Sequence, residues 1–273
     1  MKNKLTLSLL GSLLLIGLAS SNAQAQSAFT GFYGQVSSGY ESNQLGSQSN
    51  TSTVTPYAKS DTNNTGPSQT FGGAPLVLGI GYYWQASDKW LIGVGADYSA
   101  LTQTSSSIPV TSANAAGSTA IDPGASLTYN GMSMQLSNRF NLFITPGYAI
   151  DKDKLVYLKA GYSQVTAQYN RNTSLTRTTA NGVSSTSPAT GGNQSSNQGG
   201  YLLGIGYKQV ITKGLYGFVE GNYMGYSAPS YTFSTTNSLD RSRGVTATST
   251  RTGVTSFASL NTYQMLIGLG YAF

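Results

Sequence analysis

The chain has no cysteine and no histidine, and only 9% of its 273 residues are charged. Without cysteine it can hold neither a disulfide framework nor the acylated cysteine of a lipoprotein anchor. Without cysteine and histidine, metal binding is left to oxygen donors, and nothing in the sequence has the spacing of a calcium loop. A serine nucleophile would have to rely on a base other than histidine, and Lys159, the lysine nearest to such a role, is more simply read as a charge satisfied by a carboxylate. No catalytic, cofactor-binding or metal-binding residue is therefore assigned. Long hydrophobic runs are also lacking: Leu5 to Leu18 falls short of the about 20 residues that a membrane-spanning helix needs.

That short run has a different meaning. Lys2 and Lys4 precede it and Ala23-Gln24-Ala25 follows as a small-x-small cleavage site, so residues 1–25 read as a secretory signal peptide cut before Gln26. Two of the 15 basic residues leave with the leader, which lowers the net charge from +6 to +4. So small and diffuse an excess excludes a nucleic-acid binder, which concentrates its basic residues on one face. In place of charge the sequence has 33 glycines and 19 tyrosines. Small barrels use glycine inside and aromatic girdles outside.

Alternation of period two organises the mature chain. In the last strand Tyr263, Met265, Ile267, Leu269, Tyr271 and Phe273 share one face, against Thr262, Gln264, Leu266, Gly268, Gly270 and Ala272 on the other. An apolar face with aromatics at both ends suits a strand between hydrocarbon and a crowded lumen. Seven further segments alternate in the same way, at about 32–40, 76–84, 90–100, 132–145, 155–164, 201–210 and 215–226. The predicted fold is all-β: an eight-stranded, antiparallel, up-and-down transmembrane β-barrel occupying residues 26–273. Long stretches rich in Ser, Thr, Asn and Gly, about 41–74, 101–131, 166–200 and 227–256, alternate with short turns, the pattern of external loops and periplasmic turns. These loops are expected to bury little apolar surface and to be mobile at their tips.

A motif repeats on the second, sixth and eighth strands: Leu78-Gly79-Ile80-Gly81-Tyr82, Leu203-Gly204-Ile205-Gly206-Tyr207 and Ile267-Gly268-Leu269-Gly270-Tyr271. A nucleotide-binding glycine loop needs a helix opening directly after it, and none follows. The motif instead turns its glycines inward and its tyrosines toward the periplasmic interface, where Tyr82, Trp84, Trp90, Tyr207, Tyr271 and Phe273 are the expected aromatic anchors. The final Phe273, with Tyr271 two residues before it, resembles the terminal signal that outer-membrane barrels present to their insertion machinery.

With this architecture and its Gly268-Leu269-Gly270-Tyr271-Ala272-Phe273 ending, the chain resembles the small eight-stranded outer-membrane barrel family of opacity-type, porin-like surface proteins. The resemblance implies a Gram-negative outer-membrane protein among lipid and lipopolysaccharide, working through surface-exposed loops in adhesion or envelope structure. A narrow passive channel is the alternative. Barrel enzymes of similar size or address, such as the lipid A palmitoyltransferase and deacylase, the outer-membrane phospholipase and the aspartyl-type surface proteases, rely on a catalytic histidine that is missing here. The expected protein is not an enzyme.

Two groups of residues remain as candidates. Parity sends Asp97, Arg139, Lys159, Lys208 and Glu220 into the lumen, with Glu41 at its upper rim. An unpaired buried charge costs several kcal/mol, so each needs a partner. Equal heights on neighbouring strands suggest Asp97 with Arg139, and Glu220 is within reach of Lys159 or Lys208. Either an ion-selecting constriction or a salt-bridged plug results, and an eight-stranded interior, barely wider than its side chains, favours the plug. Outside, Arg171, Arg177, Arg241, Arg243 and Arg251 are candidate contacts for lipopolysaccharide or a polyanionic surface, weighed against simple solvated loop charges.

Overall fold

The computed structural model describes residues 27–55, 59–113, 126–171, 174–179, 181–188, 192–241 and 245–273. The expected leader, 1–25, lies outside the described residues. Eight long strands form the barrel: β1 (Gly31–Leu45), β2 (Leu76–Gln85), β3 (Trp90–Ser99), β4 (Ser126–Asp151), β5 (Lys154–Asn170), β6 (Gln194–Thr212), β7 (Leu215–Tyr226) and β8 (Leu260–Ala272). Each pairs antiparallel with its neighbours in sequence, and β1 pairs with β8 to close the ring. Closure leaves no unpaired barrel edge, the condition for placing strands in hydrocarbon.

The outer face follows the predicted parity. Along β8, Met265, Ile267 and Leu269 project outward between Tyr263 and Tyr271. At roughly 3.3 Å per residue and a tilt of about 40°, that interval corresponds to an apolar belt roughly 20 Å high. Two aromatic girdles bound it. Phe32, Tyr82, Trp84, Trp90, Tyr148, Tyr271 and Phe273 lie toward the short turns, while Tyr40, Tyr98, Tyr162, Tyr201, Tyr223 and Tyr263 lie toward the loops. A closed ring with such a belt is a membrane-spanning barrel.

The inward glycines of the repeated motif make room for rings. Tyr33 lies over Gly81, Tyr157 over Gly206 and Tyr216 over Gly270, close enough that a β-carbon at any of these glycines would strike the ring. Each narrow glycine position is thus filled from the neighbouring strand.

One parity assignment is corrected. Strict period two across 132–145 puts Met134 and Leu136 on the lipid face with Phe140 and Leu142, yet they are buried inside. The cause is a β-bulge: the β4–β5 register slips between Gln164 and Thr166, so Asn138 and Arg139 together face Val165. Asn138 takes a left-handed conformation, φ 50°, which asparagine tolerates better than most residues. One extra residue reverses every side chain beyond it.

The described parts of the loops continue the strand pairing beyond the barrel. Ser230–Arg241, Val245–Phe257, Gln48–Thr55 and Lys59–Gly66 form a four-stranded sheet that joins the first and last loops. Ile108–Ala113 and Ser174–Thr178 pair with the upper part of β4, joining the middle two. Few of their residues are apolar; Leu101, Val183 and Val254 are exposed, but five others gather at the barrel mouth. Phe71, Ile108, Val110, Tyr231 and Phe257 pack with Leu45, Met132, Met134, Tyr169 and Leu260 in one buried cluster.

Candidate functional site: a filled lumen beneath a loop layer

Three layers fill the interior from the short turns upward. The lowest is aromatic. Residues 27–30 fold beneath the barrel, tied by the Ala28 amide to the Lys152 carbonyl at 3.1 Å. Phe29 inserts there edge-on to Tyr216, with ring centroids 5.8 Å apart, among Tyr33, Tyr83, Leu91, Leu155, Tyr157 and Phe218. Phe29 precedes the first periodic residue, so alternation carried no sign of it.

Lys208 hangs into this layer from β6, 2% exposed. Its ammonium lies 4.1 Å from the ring centroid of Tyr33, 4.9 Å from Tyr216, 5.0 Å from Tyr83 and 5.2 Å from Tyr157. It also donates to the Gln35 side-chain oxygen at 3.3 Å. The aromatic faces attract the cation where a carboxylate was expected.

The middle layer is ionic. Lys159 donates to Asp97 at 2.8 Å and to Glu220 at 2.9 Å, and its ammonium lies 4.0 Å from the Phe143 ring centroid. Neutral donors complete the carboxylates: Asn141 bonds Asp97, while Tyr157 and Asn222 bond Glu220 at 2.7 and 2.8 Å. Glu220 therefore takes Lys159, one of its two predicted partners. One lysine between two carboxylates leaves a negative charge, and Lys208 in the layer beneath balances it.

The expected Asp97–Arg139 pair does not form. Asp97 stands opposite Asn141 on β4, and Arg139 stands opposite Ser99, one inward step higher. From there Arg139 reaches across to Glu41 in an ion pair with both side chains buried. Its fork is fully used: Nε donates to the Tyr226 hydroxyl at 2.9 Å, and Nη2 to Asn43 at 3.2 Å and Thr262 at 3.3 Å. Gln264 donates to Glu41 at 2.7 Å and accepts from Asn222 at 3.4 Å, which links this pair to the triad below. Glu41, expected at the rim, is 1% exposed within the lumen. Above the pair lies the apolar cluster under the loops, and the gap among Glu41, Arg139, Leu136 and Val165 has no room for a water molecule.

Among the predicted interface aromatics, Trp84, Trp90, Tyr271 and Phe273 are exposed, Tyr82 and Tyr207 half-exposed, and all six lie on the outer face at the short-turn end. The loop arginines are not brought into one patch by the described side chains. Arg171 is half-buried, its guanidinium 4.6 Å from the Phe233 ring centroid, and this burial pulls its pKa below the usual arginine value. Burial likewise raises the Tyr231 hydroxyl. Arg177, Arg241 and Arg251 are placed on loop strands by their backbones alone, and Arg243 lies outside the described residues.

No family model matches the chain, and no curated protein does. Solved structures resemble it at low identity. The outer membrane protein OprG of Pseudomonas aeruginosa is 11% identical with a TM-score of 0.44, over 91% of this chain and 98% of that one. The outer membrane protease OmpT of Escherichia coli is 10% identical with a TM-score of 0.41, over 93% and 100%. Ail, the attachment invasion locus protein of Yersinia pestis, is 11% identical with a TM-score of 0.32, over 86% and 99%. Likenesses this distant carry no argument about activity.

Proposed function

We propose that this protein is an exported, non-enzymatic barrel of the Gram-negative outer membrane, with a closed lumen and a loop layer that acts as a surface-interaction or envelope-structural element of the opacity-like kind. The supporting observation is the filling of the lumen. Aromatic plug, ion triad, Glu41–Arg139 pair and apolar cap succeed one another, and each buried charge has a partner. A passive channel would need a continuous wet path, which the aromatic plug and the apolar cap both interrupt. In this reading Tyr271 and Phe273 address the insertion machinery, lipid and lipopolysaccharide surround the belt, and the loop arginines meet a polyanionic surface.

Trypsin treatment of intact cells displaying the protein tests the loop assignment. Binding of those cells to immobilised dextran sulfate is expected to fall to the level of cells without the protein, while the barrel stays heat-modifiable on gels. Binding that survives removal of the loops would overturn it.

A further inference from the structure

Both tryptophans of the chain lie on one arc of the short-turn rim. Trp84 is the next-to-last residue of β2 and Trp90 begins β3, 49% and 55% exposed. Trp84 is 4.7 Å from Tyr82, and Trp90 is 5.3 Å from Tyr148, centroid to centroid. The turn between them is held rigidly: the Ala86 and Ser87 amides both donate to the Trp90 carbonyl, and the Ala149 amide donates to the Lys89 carbonyl at 2.7 Å. This places the exposed Lys89 ammonium 5.9 Å from the Tyr148 ring centroid.

Lys89 differs from its neighbours along the rim. Lys154 is bonded to Asp151 at 3.0 Å and Lys152 lies 3.6 Å from Asp153. Among the described residues no carboxylate forms an ion pair with Lys89; Asp88, beside it in the turn, is exposed. The arc therefore presents a free ammonium, whose three N–H groups only donate, and two indole N–H groups, which also only donate. A donor set carrying positive charge at the edge of an apolar belt fits a phosphate whose acyl chains run along that belt.

We propose that Lys89, Trp84, Trp90 and Tyr148 form a site for the headgroup of an anionic glycerophospholipid in the leaflet at the short-turn side. The proposal rests on the membrane-spanning reading above. Lys89 supplies the charge, the indoles supply donors and an amphipathic wall at headgroup depth, and the outer faces of β2, β3 and β4 receive the chains.

Tryptophan fluorescence reports on this arc alone, because the chain has no other tryptophan. The barrel is refolded into phosphatidylcholine vesicles that contain a small fraction of brominated phosphatidylglycerol or, separately, brominated phosphatidylcholine. Brominated phosphatidylglycerol is expected to quench as if enriched up to about fivefold at the site, the factor one lysine near an anionic surface supplies. Lys89→Gln should remove the excess, and Lys213→Gln, in the β6–β7 turn, should leave it. Equal quenching by both lipids, or an excess that survives Lys89→Gln, overturns the site. Quenching by neither lipid overturns the membrane-spanning reading beneath it.

Discussion

A Lys159→Met barrel is expected to unfold in urea with about 3–5 kcal/mol less stability than the wild type, the usual result of removing one partner from a buried ion pair. The loss should stand toward the upper end, because Lys159 serves two carboxylates at once, Asp97 and Glu220. The remaining donors, Asn141, Asn222 and Tyr157, hold those carboxylates in place but carry no positive charge. The double variant Lys159→Met with Glu220→Gln removes one charge of each sign, and it should lose less than the two single variants added together. Within one network the expected coupling is about 0.5–3 kcal/mol. Unfolding followed by tryptophan fluorescence gives all three values. Strict additivity would mean that the short Lys159–Glu220 distance contributes nothing.

The second large effect is expected at Arg139. Arg139→Met leaves Glu41 buried with only Asn43 and Gln264 as donors, again at a cost of about 3–5 kcal/mol. Arg139→Lys separates charge from geometry. Lysine keeps the positive charge but cannot reproduce a planar fork that reaches Tyr226, Glu41, Asn43 and Thr262 together. The lysine variant should fall between the wild type and Arg139→Met. A lysine variant as stable as the wild type would show that the fork is unnecessary.

Where strand alternation was regular, the fold was legible residue by residue. Parity sends Asp97, Lys159, Lys208 and Glu220 into the lumen, and all four are buried there. Alternation says which face a side chain takes, but not what it meets across a lumen. Arg139 was matched to Asp97 by counting along neighbouring strands, yet its partner Glu41 comes from β1 on the far side. At Met134 and Leu136 the period was intact in sequence and reversed in space by the bulge at Asn138. The only hint was that polar residue on an apolar face. The lysine cage needed the inward parity of Tyr157 and Tyr216, beside that of Tyr33 and Tyr83, to be read together with the glycines opposite them. Loop pairing was hidden because the apolar residues of the first, second and fourth loops are few and widely separated in sequence. They meet only after the barrel has closed.

Closure of the lumen is the central claim, and conductance tests it most directly. Refolded residues 26–273, shown to be folded by heat-modifiable migration, would be inserted into a planar bilayer under an applied voltage. The filled interior predicts silence, with no steady openings above the bare membrane. Steady openings that change when Arg139 or Glu220 is neutralised would contradict it and make the charged layer a conducting constriction.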